Sequence, residues 1–203
     1  MTTLELLTKE KIEKIYKEHM VIDFPADELK PLPMIYKAMD AGKYECYGLK
    51  DDGEICGYCF LVKLGKDYLG DYIATYPEIR NKGLGAELVH HMAEMLKDAH
   101  SLIVEVEDPE FAETEEDRIL QTRRLNFYLR NGVIDTGVKA RCFGVPFKIL
   151  EIVTSHPHSK EELQDLYRRH YAAVLPKEMF EKNVEIQEIG NSKGFGNARQ
   201  REK

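Results

Sequence analysis

The chain has 203 residues, a net charge of −7 and 43% hydrophobic residues. That is enough apolar material for one packed domain with elaborations, and the acidity argues against a general nucleic-acid binder, which needs a basic face. No apolar run approaches a membrane span, and Met1-Thr2-Thr3-Leu4-Glu5 lacks a basic region followed by an apolar core, so a cytoplasmic protein is the default expectation.

Thr8 can cap a helix through Ile12, Ile15 and Tyr16 toward His19. Phe24-Pro25 breaks the chain, and Pro31 and Pro33 bracket a second short helix, about 33–40. Tyr44 to Leu49 reads as a strand, Asp51-Asp52-Gly53 as a hairpin turn, Glu54 to Leu64 as the returning strand and Lys66 to Thr75 as the next. A helix follows from Gly83 to Asp98, with Leu84, Leu88, Met92 and Leu96 at helical spacing. Leu102 to Glu107 is a strand with Glu105 and Glu107 on one face, which requires that face to open into a cleft or the carboxylates to be paired. Thr114-x-x-Asp117 starts a helix that runs to about Arg130 and stops at Asn131-Gly132. Val133 to Val138 and Phe147 to Val153 read as two closing strands joined by a loop containing Cys142, Gly144 and Pro146. Ser159-Lys-Glu-Glu162 is a capping box for a helix through Leu163, Leu166 and Tyr167, and Lys177 to Lys182 suits a short helical piece. Residues 1–186 read as one domain and 187–203, polar and glycine-containing, as a flexible tail.

Two local signals read as structure. Cys56-Gly-Tyr-Cys59 has the spacing of a redox or zinc half-motif, but positions three apart on a strand face opposite sides and no second pair completes a zinc site, so buried, reduced thiols are expected. His90-His91 and His156-x-His158 are weak as metal sites, and none is expected. The carboxylates of the run from Glu105 to Asp117, which has no Lys or Arg, read either as a solvated loop and helix start or as a field that draws in a cationic amine.

Tyr72-Ile73-Ala74-Thr75-Tyr76-Pro77-Glu78-Ile79-Arg80-Asn81-Lys82-Gly83-Leu84-Gly85-Ala86 carries the strongest signal. A glycine-rich turn opening a helix leaves N–H groups pointing one way at the positive end of the helix dipole, which suits phosphate. The dinucleotide fingerprint fails because Leu88 stands where a third glycine is needed. The nucleoside-triphosphate loop fails because no Gly-Lys-Ser/Thr is present.

The remaining pattern, Arg80-x-x-Gly83-x-Gly85 after a strand ending Ala74-Thr75-x-Pro77-Glu78, resembles motif A of the GNAT acyltransferases. The string Asn126-Phe127-Tyr128 leading to Gly132-Val133 resembles a second stretch of that family, with Val133 where Phe is usual. The resemblance covers roughly residues 10 to 153. It implies an α/β fold: a mixed, mostly antiparallel central sheet flanked by helices and splayed at the strand pair 68–75 and 102–107. It implies acetyl-CoA as cosubstrate, its pyrophosphate held by Arg80, Asn81, Lys82, Gly83, Leu84, Gly85 and Ala86. Ile73, Ala74 and Thr75 would offer backbone groups to the pantetheine arm and the thioester carbonyl. Gln121 stands in place of a coenzyme-contacting Asn, with Asn126 as a substitute on another face.

The implied reaction is acetyl transfer to a primary amine by direct attack in a ternary complex. Tyr128 would protonate the leaving thiolate and also contact the coenzyme. Glu107 and then Glu105 are candidate bases, with Asp71 a further one and an ordered water chain an alternative. The family's best-known base falls at Tyr68 and does not carry over. Phe24-Pro25-x-x-Glu28 resembles segments that line the acceptor side, and the family's tendency to dimerise suggests a homodimer. The acceptor is open: a cationic small-molecule or peptide amine, with neither nucleic acid nor membrane as partner. Rival readings are a non-catalytic acyl-CoA-binding module and a domain for another nucleotide.

Overall fold

The computed structural model describes residues 1–26, 28–80 and 82–187. The expected tail beyond Gln187 and the expected coenzyme residue Asn81 lie outside the described residues. The chain divides into two units, Met1–Leu102 with Val153–Ser155, and Ile103–Ile152 with His156–Lys203.

In the first unit β1 (Thr3–Leu6), β2 (Tyr44–Asp51), β3 (Glu54–Leu64) and β4 (Asp67–Thr75) lie side by side in chain order, every pairing antiparallel. The β2–β3 turn is as expected, with Asp52 at φ 48° and Gly53 at φ 93°, the left-handed pair that matches strand twist in a two-residue hairpin. Helix α1 (Lys9–Ile15) is capped by the Thr8 hydroxyl, which accepts from the Lys11 N–H. The expected single helix to His19 instead loosens into a π-helical turn over Tyr16–Met20 before α2 (Val21–Asp23). Helix α3 (Leu32–Asp40) follows Pro31 at its cap and takes Pro33 in its first turn, where the missing N–H costs nothing. Helix α4 (Leu84–Met95) packs on β3 through Leu84, Leu88 and Met92, the stripe read from the sequence. Tyr58, Phe60, Leu61 and Val62 of β3 are fully buried, each contributing about 1.5–3 kcal/mol of apolar burial. Strand β3 is therefore the spine of this unit. Strand β1 was not expected; it is a short edge strand of mixed exposure, with no periodic run to announce it.

The second unit holds β5 (Ser101–Glu107, its body from Ile103), β6 (Ile134–Cys142), β7 (Val145–Glu151) and β8 (Val184–Ile186), in the order β5-β7-β6-β8 and again antiparallel. The expected β6–β7 loop is a correction. Cys142 and Pro146 belong to the strands, and only Phe143 (φ 49°) and Gly144 (φ 85°) form the turn. Two consecutive left-handed residues close a hairpin so tightly that its flanks remain paired. Helix α5 (Glu115–Arg130) starts at Thr114, whose hydroxyl accepts from the Asp117 N–H at 3.0 Å. Helix α6 (Lys160–Val174) packs on β6 and β8 and opens with the expected capping box between Ser159 and Glu162. Helix α7 (Lys177–Asn183) leads into β8, which the sequence reading missed: three residues carry too little periodicity to read. Among the described residues no helix is long and apolar enough to cross a membrane. The two units together have the α/β character expected, with antiparallel sheets flanked by helices.

The capping box makes a simple stability test. Ser159→Ala removes the acceptor for the Glu162 N–H, 3.2 Å away. It should cost about 1 kcal/mol, read as a lower urea midpoint with an unchanged slope.

Candidate active site

The turn after β4 forms as its residues dictate. Tyr76 N–H still donates to Cys56 O at 3.0 Å, and Pro77, which has no N–H to offer, turns the chain into a short 3-10 segment, Pro77–Ile79. Gly83 caps α4 at φ 86°, a left-handed conformation that side chains resist. A Cβ there would meet nothing within 4 Å, so the demand for glycine is conformational. Ala86 and Glu87 N–H groups donate to Gly83 O at 2.9 and 3.2 Å. The Leu84 and Gly85 N–H groups precede them, in the positions that helix geometry leaves without an intrahelical acceptor. Leu84 is buried on the core side, so what it can offer a ligand is its backbone. Lys82 is exposed beside the turn. Ile73, Ala74 and Thr75 are partly exposed at the end of β4, where Gly57 is required: a Cβ there would lie 2.9 Å from Ala74 O.

Arg80 is tied into this turn from two sides. Its Nη2 donates to Asp23 Oδ1 at 2.6 Å and its Nε to Thr75 O at 3.3 Å, using two of the five donors of a guanidinium. Asp23 is 4% exposed and also accepts from the Tyr58 hydroxyl at 2.8 Å. Burial, with the Asp23 carboxylate next, pushes the Tyr58 hydroxyl up. The Tyr76 ring lies flat on His19, centroids 3.5 Å apart, and burial pushes its hydroxyl up to about 12. Asp23 and His19 thus dock the segment after α1 onto the glycine turn. Neither contact is legible from local sequence spacing.

Asp71 occupies a bulge. Phe60 pairs with Tyr72 and Leu61 with Gly70, which leaves Asp71 as the extra residue of β4. Its side chain is 3% exposed; Oδ1 accepts from Lys30 Nζ at 2.7 Å and Oδ2 accepts from the Tyr44 hydroxyl. The next residue, Tyr72, grips the same lysine: its hydroxyl accepts from the Lys30 N–H at 2.8 Å and donates to Glu28 O at 2.8 Å. Lys30 Nζ also lies 5.3 Å from the Tyr72 ring centroid. Asp71 is therefore one half of a buried ion pair, not an available base.

Glu105, Glu107, Gln121, Asn126 and Tyr128 all belong to the second unit. Both carboxylates on β5 are partnered, which is the second of the two solutions the strand pattern allowed. Glu107 Oε2 accepts from Arg124 Nη1 at 2.5 Å. Glu105 accepts from the Tyr167 hydroxyl on Oε1 at 2.5 Å and from the Tyr171 hydroxyl on Oε2 at 2.7 Å. Burial first, and the Glu105 charge second, push the Tyr167 hydroxyl well above its ordinary range. Tyr128 is 7% exposed, its ring edge-on to Phe127 at 5.3 Å, and its carbonyl accepts from the Asn131 and Val133 N–H groups where α5 ends. Gln121 Oε1 is buried and accepts no hydrogen bond among the described residues, whereas Asn126 is exposed. The rest of the acidic run is largely spoken for: Asp108 and Glu110 meet Lys139 Nζ at 2.8 and 2.6 Å, and Glu115 pairs with Arg118. All four cysteines are buried and outside any disulfide, and burial pushes the Cys56 and Cys59 thiols up, so the Cys56-x-x-Cys59 pattern is structural.

Residues 42–133 match the family model of the acetyltransferase (GNAT) domain. Among solved structures, a GNAT-family protein from Bacteroides thetaiotaomicron shares 22% identity at a TM-score of 0.69, covering 86% of this chain and 99% of its own. The ribosomal-protein-S18-alanine N-acetyltransferase of Escherichia coli shares 16% at a TM-score of 0.54, with 78% and 97% covered. A Bacillus subtilis acetyltransferase in complex with CoA shares 16% at 0.50, with 75% and 98% covered. At these identities the likeness is one of fold. A sequence comparison with curated proteins finds no match.

The buried pair can be tested apart from any activity. Lys30→Met strands the Asp71 carboxylate and should cost about 3 kcal/mol in urea unfolding. The double variant Lys30→Met with Asp71→Leu should recover most of that loss.

Proposed function

We propose that this chain, whose residues 42–133 match the acetyltransferase (GNAT) domain, moves an acetyl group from acetyl-CoA to the nitrogen of a primary amine by direct attack. Acetyl-CoA is the cosubstrate and supplies the activated thioester. The observation that carries this reading is the glycine turn at the N-terminus of α4, with Gly83 left-handed and two backbone N–H groups placed for an anion. Lys82 and the outer edge of the Arg80 guanidinium add positive charge beside it. Asp23 holds Arg80 in place rather than competing for it, because each bond engages only part of a five-donor fork. Gln121, whose buried Oε1 meets no donor among the described residues, fits a ligand that brings an N–H or O–H.

Two proton movements are needed. The amine must lose a proton to attack, and the departing thiolate must gain one. We assign the second to the Tyr128 hydroxyl and the first to Glu105, directly or through water. Glu107 is the weaker choice of base, since its Oε2 is already engaged by the Arg124 guanidinium 2.5 Å away. The acceptor arrives as an ammonium, which the net charge of −7 favours. Four buried cysteines outside any disulfide suit a reducing compartment, and we place the protein in the cytoplasm.

Isothermal titration with acetyl-CoA should show saturable binding, and no heat at millimolar coenzyme would end this reading. A screen of amine classes for coenzyme A release should then find turnover. Binding without turnover across the panel would mean a non-catalytic module. Tyr128→Phe should lower turnover by about a hundredfold while leaving coenzyme affinity within a few-fold of the parent. An unchanged turnover would remove Tyr128 from the chemistry.

A further inference from the structure

Helix α6 begins at Lys160, well beyond residues 42–133 that match the family model. Its sequence reads as an ordinary amphipathic helix, with Leu163, Leu166, Tyr167 and Tyr171 buried. Tyr167 and Tyr171 are one turn apart, so their side chains lie on one face, and their rings are 4.9 Å apart at an interplanar angle of 51°. Both hydroxyls converge on one carboxylate, each on its own oxygen, at 2.5 and 2.7 Å. Core packing asks only for the rings. Tyr167 is wholly buried, and a phenylalanine would fill the same space without an O–H to satisfy. Each hydroxyl instead donates to Glu105.

We infer that Tyr167 and Tyr171 are positioning residues that hold Glu105 as an oriented carboxylate for its work as the base, a role that rests on the acetyltransferase reading above. Two donors to the charged form keep a carboxylate ionised in a partly dry site. They also fix its rotamer, so the oxygen that takes the amine proton does not wander. A phenol suits this task better than a guanidinium. It gives a strong hydrogen bond without adding a positive charge, so the carboxylate keeps its pull on an approaching ammonium. The neighbouring charges are themselves engaged. On the same face of β5 Glu107 is bound to Arg124, and on β7, directly opposite Ile103, Glu151 is held by His158. Cys142 on β6 also lies near the Tyr167 hydroxyl. Lys148 of β7 is drawn to Asp135 at 3.1 Å.

The test uses the full chain. Tyr167→Phe, Tyr171→Phe and the double variant keep the rings and should remain folded by circular dichroism. The double variant should lose about tenfold in kcat with KM for acetyl-CoA unchanged. The acidic limb of its kcat/KM profile should move up by about one pH unit, because the carboxylate must be deprotonated to act and has lost the donors that favour that form. The Glu105 carboxyl carbon, followed by NMR through a pH titration, should shift its midpoint in the same direction. Should the NMR midpoint move while the limb stays, Glu105 is held by the tyrosines but does no chemistry, and the inference is overturned. If neither moves in a folded and active double variant, it is overturned as well. A parent protein inactive with every amine would overturn the acetyltransferase reading, and this inference with it, which is a different result from an active parent with indifferent variants.

Discussion

The single extra residue in β4 is the constraint on which the first unit's site depends. Along an unbroken strand, neighbouring side chains point to opposite faces, so Asp71 and Tyr72 could not share a partner. The bulge between Gly70 and Tyr72 breaks that alternation. Asp71 then accepts from Lys30 Nζ, while the Tyr72 hydroxyl accepts from the Lys30 backbone N–H and the Tyr72 ring faces Lys30 Nζ. The segment between α2 and α3 is thereby fixed to the middle of β4. Asp23 and His19 fix the stretch just before it to the strand's end through Arg80 and Tyr76. Two residues flanking the glycine turn, Tyr76 and Arg80, are thus held by His19 and Asp23 of the N-terminal segment.

A different solution appears in the second unit. Strand β5 places two carboxylates on one face, where burial without partners would cost several kcal/mol. The chain answers with two helices. Helix α5 sends Arg124 to Glu107 and α6 sends Tyr167 and Tyr171 to Glu105. The two partners differ in charge: Arg124 brings a positive charge to Glu107, whereas the phenols of Tyr167 and Tyr171 bring none to Glu105.

Local chemistry decided what could be read in advance. Caps, turns and glycine positions act over a few residues. Thr8, Asp52-Gly53, Thr114 and Ser159 accordingly do in three dimensions what their spacing announces. The helical stripe of α4 and the anion turn before it depend on the same short range. Boundaries failed where the signal was short or where a hairpin was tighter than its composition suggested. Strands β1 and β8 are too brief to show a period, and Cys142 and Pro146 stay paired because Phe143-Gly144 needs no longer loop.

The sequence by itself determined the order of elements, the glycine turn with its preference for an anion, and the pairing problem posed by Glu105 and Glu107. Each follows from dihedral limits, periodicity or the cost of burying charge. Only the tertiary structure decided which partner solved each problem. Arg80 with Asp23 are 57 residues apart, Lys30 with Asp71 41, and Glu105 with Tyr171 66. No local rule links residues at such separations, because the pairing is set by how strands register and where helices land. That Glu105 is held by two tyrosines and Asp71 by a lysine is a product of packing.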